Sequence, residues 1–329
     1  MGSDVFRDAD PLERILSVEI ARVTEKAAVA AAMLRGRGDE RAADQAAVDA
    51  MRVELDALPV DGVVVVGEGE RDDAPSLYVG ERLGRGGAAV DLALDPLEGT
   101  TICAKSLPNA ITVVAVAARG SLLVVPDVYM EKIAIGPGYA EGVVGLDRSA
   151  RDNISSLAAA KGVPVDRITA CILDRPRHAK LIEEIRATGA AIRLIGDGDV
   201  AGVIHTTDPE STGIDIYMGI GGAPEGVLAA AALRCTGGQI QGRLQLNTGE
   251  KRNRADKLGL HDPEKIYDLS DMVSGDVIFA ASGVTDGNLL EGVRFYANRV
   301  ETHSLVMHSR TGTVRDMRTR HLGSSFFAR

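Results

Sequence analysis

Asp95-Pro96-Leu97-Glu98-Gly99-Thr100 follows directly on an apolar segment, residues 88–94, that has the composition of a buried strand. Pro96 fixes its own φ and disfavours helical geometry at the preceding residue, so the chain leaves the strand abruptly and Asp95 projects from its end. Gly99 leaves room for a ligand to approach the backbone. One turn therefore combines two carboxylates, a hydroxyl and accessible amides, which suits a metal ion and a phosphate.

A second acidic strand end lies upstream, where the apolar segment 62–66 runs into Gly67-Glu68-Gly69-Glu70. Two acidic strand ends predict one shared cation site. Mg²⁺ and Mn²⁺ prefer carboxylate oxygens and keep positions open for water and phosphate, so they fit these residues better than zinc does.

The surrounding sequence predicts two halves with different patterns. In the first half, the spacing predicts helices at 11–34 and 39–58, with Asp39 as N-cap and Pro59 as terminator, and strands at 62–66, 88–94, 110–117 and 121–125. In the second half strand and helix alternate, with helices at 152–160, 177–187, 198–204 and 224–236 and strands at 168–173, 190–195 and 214–218. The chain closes with a strand at 276–281 and a hairpin around 309–312. We therefore predict an α/β protein, with an α+β subdomain at 1–150 that carries the metal-binding carboxylates and an α/β subdomain with parallel strands at 151–329.

Composition argues against several classes of protein. A formal net charge of −10 over 329 residues is unfavourable for a nucleic-acid partner. The longest largely apolar stretch, 110–118, is shorter than the roughly 20 residues of a membrane helix, and residues 1–11 lack a secretory signal pattern. The three cysteines, Cys103, Cys171 and Cys235, are widely spaced, so we expect a reducing, cytoplasmic compartment. A small anionic ligand would need local cations, and the candidates are Lys105, Lys132, Arg175, Arg177 and His178.

Strand ends carry polar groups in the second half as well, at residues 174–178, 196–199 and 219–226. Ligands of open α/β sheets bind at the carboxyl ends of strands. Pro224 suits the first position of a helix, so the glycines before it would expose amides at a positive helix N-terminus, an anion site. Glu225 in that first turn would repel a bare phosphate, and a bridging metal ion removes the repulsion.

Each feature also has a simpler interpretation. Glu225 could be a favourable charge at a helix start, Asp95-Pro96 an ordinary turn, segment 196–199 an N-cap with loop glycines, and Asp44 a surface residue. The glycine run lacks the G-x-G-x-x-G spacing of dinucleotide sites, and no Walker lysine follows a glycine loop. Neither histidine spacing nor a nucleophile motif indicates zinc or covalent catalysis. The recurrence of such features at successive strand ends favours a site.

Together these segments resemble the class II fructose-1,6-bisphosphatases. The segments are 66–75, 78–81, 95–100, 126–132, 174–178, 196–200 and 219–226, within a likeness that runs in order from about residue 19 to 313. Segments 174–178 and 291–295 resemble the photosynthetic branch that also acts on sedoheptulose-1,7-bisphosphate. The resemblance implies the layered α-β-α-β-α sugar-phosphatase fold of the lithium-sensitive phosphatase superfamily, shared with inositol monophosphatases. Those relatives usually have Asp where this chain has Glu98, which favours class II.

The resemblance also implies roles for individual residues. Asp44 and Glu68 match the ligands of one metal ion, and Asp95, Glu98 and Glu225 match those of a second. Most of the positions that match substrate contacts lie in the second half, which therefore carries the sugar-phosphate-binding loops. The matching positions are Glu98, Gly99, Thr100, Tyr129, Arg175, Pro176, Arg177, Asp197, Gly198, Asp199 and Gly222. The family often has Lys where this chain has Arg175. Arg175 retains the positive charge, but the geometry of its contact with a phosphate could differ from that of Lys.

The implied activity is Mg²⁺- or Mn²⁺-dependent hydrolysis of the 1-phosphate of fructose-1,6-bisphosphate, and of sedoheptulose-1,7-bisphosphate, in gluconeogenesis or the Calvin cycle. Thr100, Glu68 and Asp95 would be catalytic, with the Thr100 hydroxyl orienting or helping to deprotonate the attacking water. The expected partners are a small sugar bisphosphate and further copies of the chain, as a dimer or tetramer. Two alternatives stay open: a phosphatase for inositol or another sugar monophosphate, and a non-catalytic sugar-phosphate-binding protein.

Overall fold

The computed structural model of the chain describes residues 16–69 and 76–323. Its helices, in chain order, are α1 Leu16–Ala32, α2 Glu40–Asp56, α3 Thr100–Ala104, α4 Ala150–Lys161, α5 Ala179–Arg186, α6 Asp199–Ile204, α7 Pro209–Thr212, α8 Ala223–Thr236, α9 Gly249–Lys257 and α10 Leu269–Met272. Its strands are β1 Val60–Val66, β2 Arg82–Leu83, β3 Ala88–Glu98, β4 Ile111–Ala118, β5 Tyr129–Ile135, β6 Thr169–Leu173, β7 Ala191–Ile195, β8 Ile216–Gly222, β9 Gln239–Leu244, β10 Ile266–Asp268, β11 Val277–Gly283, β12 Arg294–Phe295, β13 Arg299–His308 and β14 Thr313–Leu322.

The first two predicted helices are confirmed in the part that the structure describes. Asp39 is the N-cap of α2, because its side chain accepts a hydrogen bond from the amide of Ala42 at 3.0 Å. This bond satisfies one of the amides that a helix start leaves without a partner. Residues 1–11, in which no secretory signal is predicted, residues 11–15 of the first predicted helix and residues 70–75 of the glycine-rich acidic segment lie outside the described residues.

The strands form two sheets. The first has eight strands in the order β12-β13-β11-β4-β3-β1-β2, with β14 paired to β13, and β1 runs parallel to β3. The second has six strands in the order β10-β9-β5-β8-β6-β7. In it β6 is parallel to β7 and β8, as predicted, whereas β5, β9 and β10 pair antiparallel.

The predicted strand at 121–125 is wrong. Only an isolated bridge joins Leu122 to Val273 there. The amides of Gly120 and Leu122 donate instead to the buried carboxylate of Asp91, at 2.7 and 3.2 Å, and the amide of Leu123 donates to Met272. The Asp91 carboxylate therefore accepts amides that a strand would use for backbone hydrogen bonds to a neighbouring strand.

Three separate hydrophobic cores show that the fold has five layers. One core joins α1 and α2 to the outer face of the first sheet, and a second joins α6 and α8 to the inner faces of both sheets. A third joins α4 and α5 to the outer face of the second sheet. The predicted α/β class and its α-β-α-β-α layering are confirmed.

The sheets do not follow the predicted subdomains along the chain. Strand β5, which precedes residue 150, belongs to the second sheet, and strands β11 to β14 return to the first. The division at residues 150 and 151 stays a prediction about folding units. Among the described residues no helix is long and apolar enough to cross a bilayer.

Candidate active site

A cleft of about 350 Å³ lies where α2, the ends of β1 and β3, and the start of α8 meet. This volume is within the range of small-molecule sites. The structure brings all five predicted metal ligands to it, together with Thr100. The residues that line it are Asp44, Gly67, Glu68, Gly69, Leu94, Asp95, Leu97, Glu98, Gly99, Thr100, Asp127, Asp197, Pro224, Glu225 and Leu228.

Three of the carboxylates form a tight cluster, since one oxygen each of Asp95, Glu98 and Glu225 lies within 4.8 Å of the others. Burial, more than any other cause, raises the pKa of each group. It raises the pKa of Asp95 to about 6, that of Glu225 to about 7 and that of Glu68 to about 8, and it raises the pKa of Glu98 well above its ordinary value. Neighbouring carboxylates add to each shift because like charges disfavour ionisation.

Local backbone contacts hold these carboxylates in place. An oxygen of Asp95 accepts the amide of Leu97 at 3.0 Å, which locks the turn after the strand. An oxygen of Glu98 accepts the amide of Val200 in the first turn of α6 at 3.1 Å. A side chain on Gly222 would overlap the Glu225 carboxylate. The helix N-cap therefore needs glycine, because only glycine leaves this carboxylate room to turn back into the cleft.

The cluster fits a divalent cation. Oxygen Oε2 of Glu225 is buried and has no hydrogen-bond partner among the residues that the structure describes, and a buried acceptor without a partner is costly. Several acidic oxygens converge around it. Carboxylate oxygens are the donors that hard ions such as Mg²⁺ and Mn²⁺ prefer. The chemistry of the donor set thus matches the predicted kind of ion.

Asp44 and Thr100 both face the cleft. The structure does not support the interpretation of Asp44 as a solvated surface residue, since its carboxyl lines the cleft and burial raises its pKa. Gly99, at a φ of +97°, is the N-cap of α3, so Thr100 occupies the first helical position and does not cap the helix. Its hydroxyl makes no hydrogen bond within the described part of the chain and is available to a ligand.

Asp199, a predicted substrate contact, is not among the residues that line the cleft and is held in a buried ion pair. The ammonium of Lys132 contacts its carboxylate and also donates to the carbonyl of Gly222 at 2.8 Å. The side chains of Lys132 and Asp199 are 1% and 6% exposed. Lys132 is therefore not a free cation for a ligand, and Asp199 is not a free acid for a ligand. Asp127, in contrast, lines the cleft, although its sequence pattern gives no sign of a role.

The two predicted phosphate-binding arginines point to different partners. The guanidinium of Arg175 contacts the carbonyl of Gly196 and lies 3.5 Å from the carboxylate of Asp197, which itself lines the cleft. Arg177 donates two hydrogen bonds to the carbonyl of Ile220, at 2.9 and 2.7 Å, and lies over the ring of Tyr129. Neither arginine is among the residues that line the cleft, and Arg177 lines a separate pocket together with Lys132 and His178.

The remaining candidate cations are accounted for as structural or surface groups. His178 is buried, with one ring nitrogen against the carbonyl of Leu173 and the other accepting the amide of Ile220; burial lowers its pKa. Lys105 is exposed. The cysteines are buried and unpaired, and burial raises the pKa of Cys103 to about 11, as expected of a packed thiol and not a reactive one.

The fold and the site define a layered α/β protein with an acidic cleft that suits a divalent cation. A sequence model for the family described as "Bacterial fructose-1,6-bisphosphatase, glpX-encoded" matches residues 14–321, and the chain belongs to this family. It is 41% identical to the D-fructose 1,6-bisphosphatase class 2/sedoheptulose 1,7-bisphosphatase of Synechococcus elongatus, over 94% of this chain and 97% of that protein. The protein of the same name from Synechococcus sp. strain JA-3-3Ab is also 41% identical, over 94% and 96%.

Two solved structures share more distant similarity. The extragenic suppressor protein suhB from Bartonella henselae has a TM-score of 0.33 at 15% identity and covers 58% of this chain and 73% of its own. The inositol monophosphatase from an Anabaena (Nostoc) species has a TM-score of 0.29 at 13% identity and covers 57% and 69%.

Proposed function

We propose that this protein is a metal-dependent phosphoric monoester hydrolase that converts fructose-1,6-bisphosphate to fructose-6-phosphate and phosphate. One observation carries the proposal: seven carboxylates, five of them the predicted metal ligands, line one cleft beside the N-terminus of α8. Such an arrangement is unfavourable without a cation. Family membership and the names of the relatives support this reaction, and we assign it to this cleft.

Asp44 and Glu68 would hold one metal ion, and Asp95, Glu98 and Glu225 a second. The close approach of the last three supports their shared role, and Mg²⁺ or Mn²⁺ suits their oxygens. When bound, such ions supply charge neutralisation at the phosphoryl oxygens and acidify water.

The other residues of the cleft would bind and orient the reactants. The free hydroxyl of Thr100, which faces the cleft, would orient the attacking water and accept or pass on its proton. The N-terminus of α8, which follows Gly222, favours the cleaved phosphate because of its positive dipole end. Asp197, which lines the cleft, would contact sugar hydroxyls, and Arg177 would bind the phosphate that is not cleaved.

Sedoheptulose-1,7-bisphosphate is the second substrate that we propose, because two relatives at 41% identity are named for both activities. Both substrates place a phosphate at each end of the sugar, so the same distal anchor can serve both. A cytoplasmic location and a homo-oligomer, dimer or tetramer, stay predictions.

A turnover assay separates the candidate functions. Purified protein is incubated with each bisphosphate, with inositol monophosphate and with fructose 1-phosphate, in Mg²⁺, in Mn²⁺ and in EDTA, and released phosphate is measured. We expect metal-dependent release from the two bisphosphates at a kcat/KM well above that for either monophosphate. Preference for inositol monophosphate would favour the monophosphatase, and binding without turnover would favour a sugar-phosphate-binding protein.

A further inference from the structure

Two cations meet at one exposed aromatic ring beside the cleft. The ring of Tyr129, a side chain that is 48% exposed, has the guanidinium of Arg177 at 4.8 Å from its centroid and the ammonium of Lys251 at 5.9 Å. Arg177 follows β6, whereas Lys251 belongs to α9. Two elements far apart in sequence thus bring positive charge to the same place.

No carboxylate of the described chain lies within ion-pair distance of either cation. The guanidinium of Arg177 uses Nε and Nη2 to bind the carbonyl of Ile220. The ammonium of Lys251 donates to the side-chain oxygen of Asn247 at 3.3 Å, and the adjacent acid Glu250 is paired with Arg254 at 2.9 Å. Two like charges beside one ring, with no carboxylate near either of them, favour the binding of an anion that contacts both.

This pair of cations lies next to the phosphate end of the cleft. Tyr129 is opposite Gly222 in the antiparallel register of β5 and β8, so their Cα atoms are about 4.5–5.5 Å apart. Gly222 is the N-cap of α8, whose first turn carries Glu225. One strand spacing therefore separates the backbone of Tyr129 from the start of the helix that carries a predicted metal ligand.

The backbone around Lys251 holds this residue at the same edge of the sheet. The amide of Gln245 donates to the carbonyl of Tyr129 at 2.7 Å, which ties the end of β9 to the start of β5. Thr248 then caps α9 and accepts the amide of Lys251 at 3.3 Å. Lys251 is thus in the first turn of the helix, where the helix dipole also favours an anion.

We propose that Lys251 is a specificity-determining residue that, together with Arg177, holds the phosphate that is not cleaved. The assignment rests on the proposed function. Arg177 offers a planar fork and Lys251 a compact charge, a combination suited to a phosphate monoester with several acceptor oxygens. Lys251 selects bisphosphates over monophosphates because a monophosphate bound for cleavage has no group to place between the two cations.

The test compares Lys251→Met with Lys257→Met, which removes an exposed charge at the far end of the same helix. Steady-state kinetics are measured with fructose-1,6-bisphosphate and with fructose 1-phosphate, which lacks the distal phosphate. We expect Lys251→Met to raise KM for the bisphosphate about ten- to a hundredfold, as the loss of one charge-assisted hydrogen bond would. The kcat for the bisphosphate and both constants for fructose 1-phosphate should stay within about twofold of wild type, as should every constant of Lys257→Met.

Adding Arg177→Met to Lys251→Met forms a double-mutant cycle. Non-additive effects on KM for the bisphosphate would support a shared phosphate. If wild type hydrolyses the bisphosphate but Lys251→Met matches Lys257→Met, or affects both substrates equally, the assignment of Lys251 is overturned while the proposed function stands. If wild type releases no phosphate from the bisphosphate with either metal ion, the proposed function is overturned and the assignment with it.

Discussion

Replacing Glu225 with Gln tests whether the carboxylate cluster is built around a cation. The substitution keeps the size of the side chain and removes its charge. In the metal-free fold, burial and the charge of Asp199 raise the pKa of Glu225 from 4.5 to about 7. A carboxyl that holds its proton more tightly in the folded state than in the unfolded state destabilises the fold when it ionises.

The sign of the effect on stability follows from that shift. Below about pH 4.5 the Glu225 carboxyl is protonated in the folded and the unfolded state, so it does not lower the free energy of unfolding. Above about pH 7 it is ionised in both states, and the whole loss of stability is present. At 1.36 kcal/mol for each pKa unit, the difference between 4.5 and about 7 amounts to about 3–4 kcal/mol at most. Without metal at pH 8, Glu225→Gln should therefore raise the free energy of unfolding by up to that amount, and near pH 4.5 the gain should vanish.

The assay is urea unfolding of wild type, Glu225→Gln and the exposed control Glu183→Gln, in EDTA at both pH values and again with Mn²⁺. With Mn²⁺ wild type should become more stable to urea than Glu225→Gln, because wild type gains a free energy of metal binding that the variant has lost. Turnover should fall at least about 100-fold, since even residues that only support metal ligands cost 10–100-fold. A variant with wild-type stability in EDTA at pH 8 and normal turnover would refute the cation site.

Three further substitutions test other parts of the site. Thr100→Ala should lower kcat by about 10²–10⁴ with KM little changed, as expected when a proton-transfer partner is lost, whereas Thr100→Ser should retain substantial activity; normal turnover of the Ala variant would remove the hydroxyl from the mechanism. Gly222→Ala should leave the fold intact, because its φ of −66° suits any residue, but should weaken Mn²⁺ affinity about tenfold or more by displacing Glu225; Gly249→Ala, with open space around it, is the control in a metal titration. Lys132→Met should cost about 3–5 kcal/mol in urea unfolding because it leaves a buried carboxylate unpaired, and a loss below about 1 kcal/mol would contradict the buried ion pair.

The sequence predicted those features of the site that depend on local chain geometry. The turn at Asp95 and the helix start at Pro224 could be interpreted because proline and glycine restrict the backbone in known ways. Asp44 had no such signal, since an acid in the middle of a helix is usually solvated, and only the family resemblance singled it out. The burial of Asp199 depends on Lys132, which lies 67 residues away in sequence, so no local pattern could indicate it.

Local sequence patterns predict the fold with the same limit. Helices and most strands were predictable from periodicity, because burial of one face imposes a regular spacing on the sequence. Sheet membership was not, since β5 joins the second sheet through pairing with β8 and β9, both far away in sequence. Segment 121–125 has an apolar, strand-like composition, but the Asp91 carboxylate takes amides that a ladder would use. Lys251 belongs to no motif, and only the folded chain brings it to Tyr129.

The most direct test of the central claim follows fructose-1,6-bisphosphate by phosphorus NMR with chelated enzyme, to which Mg²⁺ or Mn²⁺ is then added. We predict no reaction before the metal ion is added. Afterwards the 1-phosphate signal should disappear, inorganic phosphate should appear in equal amount and the 6-phosphate signal should persist, with no such change for Glu225→Gln. Phosphate release in EDTA, or no release after either ion is added, would contradict a metal-dependent bisphosphatase in this cleft.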